Sequence, residues 1–448
     1  AFMRIPQRPP GIGDVPEGLL IEMLQSRDAL AIAKDFNRRY LHWEEIRYRD
    51  IGRNDHAVIW ALMKILRSDG QKELIFGKTQ IRYSFIRDFM RIVHEIDTIS
   101  SAGLFSEENM TKKSRIVYAA SSVMEESIAS SQIEGASTTL SLAKKMLREN
   151  RAPRNRSERM IFNNYNAMNF IRRRKDEPLT PDLILETHRI ITKGTLEDEG
   201  YEGRLRDNDD IVVQDALTGD VYHTPMSFED ISASIQSVCE YANDDSEFEH
   251  PIIKGIILHF MMAYIHPFMD GNGRLARALF YWYALKKGYW SVEFLSISKA
   301  IKKHRGKYDL SYLLSETDDN DVTYFIKFNL DQIKTAFDTF KRYVKRKLKE
   351  QKEMEQSIVS NPDFNLRQRS VLMDAMKSDE PFSVYSVQKK YQVSYQTART
   401  DIQKLIASGY VKVSGRKGNM ALYRYDKTND RTIPLQKSLQ SILISEKL

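Results

Sequence analysis

One cysteine, Cys239, stands in 448 residues. A lone thiol closes no internal disulfide and builds no thiolate metal cage. That excludes a disulfide-stapled secreted scaffold and fits a reducing compartment. Cys239 lies in a helical-looking stretch from Ile231 to Tyr241 with no histidine beside it, so it is expected to be inert. Long hydrophobic runs are missing as well. The opening AFMRIPQRPPG lacks the apolar core of a signal peptide, and no stretch of 18 or more apolar residues is present to span a bilayer. The expected setting is cytoplasmic, with no membrane partner. There is no internal repeat and no low-complexity tract. With 42% hydrophobic residues, 22 Tyr and 20 Phe, the chain can build a sizeable core.

At this length one core rarely suffices, and two or three domains are expected. Charge is unevenly placed. From Asp331 onward there are 23 Lys or Arg against 13 Asp or Glu, which leaves residues 1–330 slightly acidic within a total of +7. A local basic surplus suits a polyanionic partner, although a solvated helix face is the commoner origin of such a run.

Residues 1–111 read as an N-terminal helical domain behind a Pro- and Gly-rich arm. Residues 112–330 form the core, beginning with a helix over about 117–135 that ends at Gly135. Further helices are expected at Ser157–Arg173, Pro181–Lys193, Ser227–Asn243 and Pro251–Tyr264. Between them DIVVQDALTGDVYHTP (210–225) carries two short β-branched runs about a Thr-Gly-Asp turn and predicts a hairpin. Residues 331–362 are a charged helical linker. Residues 363–426 order three helices before a strand pair, and residues 427–448 are a tail. The class is mainly α.

The chemistry concentrates in HPFMDGNGRLAR, His266 to Arg277. Pro267 disfavours a helical His266, and Gly271 and Gly273 permit tight turning. A loop is therefore expected, followed by a helix starting near Arg274. Such a loop offers backbone N–H groups and a helix N-terminus to an anion, and phosphate is the natural guest. Arg274 and Arg277 can neutralise phosphates, Asp270 can hold a divalent cation, Asn272 adds a neutral donor, and His266 can take a proton near neutral pH. His188 and His259 lie in helical patterns and are expected to be structural.

The string resembles the signature of the Fic family: His-Pro-Phe, two residues of which the second is acidic, Gly-Asn-Gly-Arg, two residues, Arg. Every fixed position is matched. The resemblance covers about Lys112 to Leu330. It implies a helical core and transfer of AMP from ATP, with Mg²⁺, to a Ser, Thr or Tyr hydroxyl of a target protein or of the chain itself. His266 would be the general base, Phe268 the loop anchor and Asp270 the Mg²⁺ ligand. Gly271, Asn272 and Gly273 would line the anion hole, with Asn272 on the α-phosphate; Arg274 would hold the triphosphate and Arg277 the γ-phosphate. The glycine at 273 suits an AMP-transferring member. The hairpin looks like the family's flap, with Ile211, Val212, Val213, Val221, Tyr222 and His223 docking the target as an added strand. Ser130-Ser131-Gln132-Ile133-Glu134-Gly135 fits the inhibitory motif, in which Ser130, Glu134 and Gly135 are the fixed positions and Glu134 would pair with Arg277 in the γ-phosphate's place.

Residues 363–426 resemble a winged helix-turn-helix. Tyr395, Gln396, Thr397 and Arg399 would face a major groove, and Arg416 and Lys417 would tip the wing, so DNA is a candidate partner. A second copy of the chain is another. Two further readings stay open: a DNA-binding regulator that uses the nucleotide site as a sensor, and a hydrolase that removes AMP from a modified protein.

Overall fold

The computed structural model describes residues 4–101, 112–214, 219–378 and 380–426. The expected tail at 427–448, the end of the first segment and the middle of the flap turn lie outside them. The architecture is mainly α, with three separate two-stranded antiparallel hairpins among the described residues. It divides into two compact units, Ala1–Ala102 with Tyr118–Phe340, and Gly103–Val117 with Lys341–Leu448. No helix of the described residues is long and apolar enough to cross a membrane.

The first unit is built about two helices, Pro251–Ile265 and Asn272–Lys286. IIKGIILHFMM and LARALFYWYAL are apolar on every side, and such helices can only be central. Both are buried around their whole circumference, from Ile252 to Met262 and from Arg274 to Leu285. Their short connection, His266–Gly271, is thereby fixed at one end of the core. Around them pack Arg156–Arg173, Pro181–Thr192 and Ile231–Asn243, each within a few residues of its expected bounds.

The N-terminal region departs from expectation twice. It is not purely helical, because Gln71–Phe76 and Thr79–Ser84 pair as a hairpin. Their period-two pattern explains this, leaving Ile75 outward while Phe76, Ile81 and Tyr83 are buried. Nor is it a separate domain ending near residue 111, since it shares a unit with the core. Arg82 exchanges backbone hydrogen bonds with Asn320 and Val322, and the Phe76 ring meets Tyr241 at 5.1 Å. Lys64 donates to the buried Asp318 at 2.7 Å and Tyr40 to Asp321 at 2.7 Å. Buried acids with such partners tie the two segments together, because either acid alone would be costly to bury.

In the second unit, the helices Leu366–Lys377, Val384–Tyr391 and Tyr395–Ala407 precede strands Val411–Lys417 and Met420–Tyr425. An extra bridge pairs Phe382 with Tyr423. The three helices and the hairpin close on one apolar cluster including Leu372, Val387, Ile402 and Val411. The hairpin turns on Gly418 and Asn419, beyond the two basic residues expected at its tip. Arg416 and Lys417 are thus in the strand, opposite Ala421 and Met420. The charged helical linker expected over 331–362 is part of a longer helix, Thr323–Ser360.

Candidate active site

The loop from His266 to Gly271 is held by contacts that converge on it from four directions. His266 ends its helix in the left-handed region, φ 50° and ψ 58°, where the following proline prevents continuation. Phe268 is fully buried, and its backbone N–H and carbonyl are both taken by the Asn272 side chain, at 3.0 and 2.7 Å. The ring of His188 stacks on Phe268 at 3.7 Å between centroids. His188 Nδ1 accepts from Gly203 N, so Nε2 must be the N–H that donates to the Asp270 carbonyl at 2.8 Å. Burial pushes its pKa down to about 4, which keeps the ring neutral as both bonds require. His188 is structural, as expected, but the structure it supports is the active loop.

Arg206 is the residue the sequence reading undervalued. It is buried, its backbone N–H reaches the Pro267 carbonyl at 2.9 Å and its Nε the His266 carbonyl at 3.1 Å. Its other nitrogens hold Asp209, Asn208 and the Met226 carbonyl. One guanidinium thus ties both ends of the flap segment to the loop. The only local signal is an arginine among the acids of RLRDNDD.

His266 Nδ1 lies 3.2 Å from the Ala263 carbonyl. The carbonyl can only accept, so Nδ1 carries the hydrogen and Nε2 keeps its lone pair. Burial, more than any other cause, depresses the pKa to about 4. At neutral pH the imidazole is a free base with a fixed tautomer.

Asp270 accepts from Gly271 N at 2.5 Å and meets Arg274 and Arg156 at 3.3 Å each. Its side chain stays 38% exposed. Among the described residues no three His, Cys, Asp or Glu cluster as a metal cage. A single open carboxylate is the kind of ligand that Mg²⁺ takes, and Asp270 would be the residue to hold it.

Gly271 has φ 89°, and a Cβ there would stand 2.8 Å from Thr192 Cγ2. Gly271→Ala should therefore cost about 1–3 kcal/mol through strain and clash together. A thermal midpoint no lower than that of the parent would contradict this.

Arg274 and Asn272 are both engaged within the loop itself. Arg274 is fully buried, bracing Asp270 and the Ile191 carbonyl, and its Nε is buried with no partner. It steadies the Asp270 carboxylate. Asn272 clamps Phe268 instead of facing open space.

Arg277 and the Ser130–Glu134 segment form one cluster, in which Arg277 and Ser130 are buried and the Glu134 side chain is 26% exposed. Arg277 Nε donates to Ser130 Oγ at 2.8 Å, and Nη2 donates to Ser130 O at 3.0 Å and to Glu134 Oε1 at 2.8 Å. Burial alone would raise the Glu134 carboxyl, but Arg277 and Arg305 outweigh it and hold its pKa below the usual value. Burial likewise works against the Arg277 charge, and Glu134 overrides it. A Cβ on Gly273 would lie 2.3 Å from Glu134 Oε1. The carboxylate thus occupies the space over Gly273, at the N-terminus of Asn272–Lys286. Gly135, φ 89°, turns the chain at this point, with Ala136 N bonding back to Ser131 O at 3.0 Å.

The flap pairs less than expected: Val213 with His223 and Gln214 with Val221. Ile211 and Val212 precede the strand. Val212 and Val221 are exposed, and Tyr222 is half-buried. His223 is turned inward, its side chain 10% exposed, between Glu316 and the Tyr264 carbonyl, so it is withdrawn from any docking face. In the second unit Tyr395, Gln396 and Arg399 are exposed, whereas the Thr397 hydroxyl is taken up in the helix cap with Ser394 at 2.8 Å. His259, bonded to Tyr308 at 2.9 Å, is structural, and burial pushes the Cys239 thiol up to about 12.

A proline-stopped histidine, two glycines and a helix N-terminus thus meet in one short loop between the two central helices. Residues 178–284 match the Fic/DOC family, so the chain carries a Fic domain. Over 155 residues it is 30% identical to the protein adenylyltransferase Fic of Nematostella vectensis, covering 34% of this chain and 32% of that one. Over 120 residues it is 30% identical to the protein adenylyltransferase fic-1 of Caenorhabditis elegans, covering 26% and 21%. The match therefore spans about a third or less of these relatives. The crystal structure of a Fic family protein from Desulfovibrio desulfuricans superposes over 78% of this chain and 99% of its own, with a TM-score of 0.52 and 17% identity, and shows the shared fold.

Proposed function

We propose that this protein is a self-inhibited adenylyltransferase that moves AMP from ATP to a Ser, Thr or Tyr hydroxyl of a target protein or of itself. The observation that carries the reading is the Glu134 carboxylate, paired with Arg277 and filling the space over Gly273. An acid held in an anion site marks both the site and its occlusion.

In the reaction, His266 Nε2 removes the acceptor hydroxyl's proton, that oxygen attacks the α-phosphorus, and the bond to pyrophosphate breaks in line. Asp270 would hold Mg²⁺, which would supply charge neutralisation at the phosphates. Gly271–Gly273 at the helix N-terminus stabilise the charge that develops, and Arg277, once released by Glu134, meets the γ-phosphate. Because kcat/KM reports the free enzyme and the neutral ring is the active form, kcat/KM should be level near neutrality and fall as pH drops through about 4. An acid limb near pH 6.5 would show that burial does not depress the His266 ring.

The deciding experiment follows α-³²P from ATP into the protein and into a lysate, for the parent and for Glu134→Gly. Label gained on unlocking supports the reading. ATP binding without any labelled protein removes it, and release of AMP from pre-labelled protein would favour the hydrolase.

DNA is proposed as a partner of the second unit. Arg399, Arg416, Lys417 and Arg424 lie on its Tyr395–Ala407 helix and hairpin without a carboxylate partner among the described residues. Anisotropy of a labelled duplex should show binding that weakens with salt, and Arg416→Ala with Lys417→Ala should lower the salt slope by about 1 each. Absence of binding at low salt would leave the unit a protein-contact module.

A further inference from the structure

We propose that residues 296–307 are the release handle of the Glu134–Arg277 lock. An acidic helical segment of a partner protein takes up their exposed cations, which frees the last turn of the helix that leads into Glu134. That release switches on AMP transfer rests on the function proposed above; the hold on the helix does not.

The helix Lys112–Ile133 ends beside Glu134 and is held along one face by a later stretch that includes the helix Ile297–Lys303. The contacts run in the same direction along both. Ser122 Oγ donates to the Phe294 carbonyl at 3.1 Å. Glu126 accepts from Ser298 N at 2.9 Å, from Ser296 Oγ at 3.3 Å and from Ser298 Oγ. Lys302 Nζ donates to Gln132 Oε1 at 2.8 Å, and Arg305 Nη1 donates to the Ile133 carbonyl, next to Glu134. The two ends of this hold differ. Glu126 is 1% exposed, and drawing it away would strand a buried carboxyl and its donors, so that end is fixed. Lys302 and Arg305 are exposed, and another anion can take them. The releasable end is the one that adjoins Glu134.

The handle is cationic. Lys299, Lys302, Lys303, Arg305 and Lys307 follow one another in a stretch that contains no acid, and Asp309 beyond it is already taken by Arg305 Nε at 2.7 Å. Lys303 and Lys307 are exposed and have no carboxylate partner among the described residues, so they offer an anion its first contacts. A field of one sign draws an acidic partner. Its shape follows from what the handle already holds. Lys299 pairs with Glu125 at 3.3 Å and Lys302 with Gln132, two oxygen acceptors seven residues apart on one helix. That spacing is about two turns, about 10 Å along the axis. A partner helix with carboxylates at this spacing presents the same pattern. Its charge outcompetes the neutral Gln132 amide and Ile133 carbonyl, because bonds between two ionised groups are the stronger ones. A nucleic acid shares the charge and not the pattern.

The test adds to the full chain a synthetic helical peptide with glutamates two turns apart, the same peptide with glutamines in their place, or a DNA duplex. Binding is read by anisotropy, and the hold by hydrogen–deuterium exchange of the amides at 130–134. The glutamate peptide should bind and lower protection of that turn at least about tenfold, as expected for loss of one charged hydrogen bond, and should raise label transfer by a similar factor. Lys302→Ala with Arg305→Ala should show the lowered protection with no peptide present. In Lys303→Glu with Lys307→Glu the peptide should no longer loosen the turn. An equal effect of the glutamine peptide, or binding that leaves protection unchanged, would overturn the handle. Loosening by the duplex alone, lost in Lys303→Glu with Lys307→Glu, would overturn the acidic protein partner in favour of a nucleic acid. If Glu134→Gly labels protein while the peptide does nothing to the parent, the lock stands and the handle fails. If the peptide loosens the turn while no variant labels protein, Glu134→Gly included, the handle stands and the transferase reading fails.

Discussion

Glu134→Gly should raise the initial rate of AMP transfer by about 10²–10³-fold. The parent's carboxylate is not a loose surface acid. It is paired with a buried guanidinium at 2.8 Å and lies in a space that a methyl group on Gly273 would already contest. Opening a buried pair of this kind costs about 3–5 kcal/mol, and each 1.4 kcal/mol is tenfold in the population of the open form. Ser130 adds a hydroxyl and a carbonyl to the same guanidinium, so Ser130→Ala should release a smaller share of the activity. Glu134→Gln keeps the shape but not the charge, and should fall between the parent and the glycine variant. These four proteins are compared by label incorporation at fixed ATP, with ATP affinity read separately by competition. A glycine variant that folds, binds ATP and transfers within about threefold of the parent would show that the pair is only a structural contact.

Much of this arrangement was legible in the order of the residues. The apolar runs on either side of HPFMDGNGRLAR force both helices to the centre, and the proline and glycines between them force a loop. Position 134 was matched to a motif, and its pairing with Arg277, 143 residues away, came from the family resemblance, because spacing along the chain cannot bring two such distant residues together. What stayed hidden follows the same logic. His188 sits in an ordinary amphipathic helix and gains its role only by stacking on Phe268. The N-terminal hairpin reads as a strand pair once Phe76 and Tyr83 are seen buried against the core, since short period-two segments next to helices are weak signals alone. His223 looked like part of a docking strand because alternation says which residues share a face, and says nothing of which face a later helix covers.

The second large effect concerns the base. In the Glu134→Gly background, replacing His266 should lower transfer by about 10²–10⁴-fold while ATP affinity stays within about twofold, because the ring handles the acceptor's proton and touches no phosphate in the proposed reaction. The choice of replacement matters physically. His266 holds φ 50°, a conformation that alanine adopts at a cost of about 1–2 kcal/mol and that asparagine tolerates. His266→Ala therefore confounds loss of the base with strain at a point where Arg206 Nε reaches the His266 carbonyl. His266→Asn keeps the backbone and removes the base. If catalysis by the ring is the whole effect, the two variants should transfer equally slowly and differ only in thermal midpoint, alanine being lower. If asparagine restores most of the rate, the histidine is there for its backbone, and the proton must leave by another route. The pH profile separates the cases again, because the acid limb at about pH 4 should vanish with the ring and survive if the ring is a bystander.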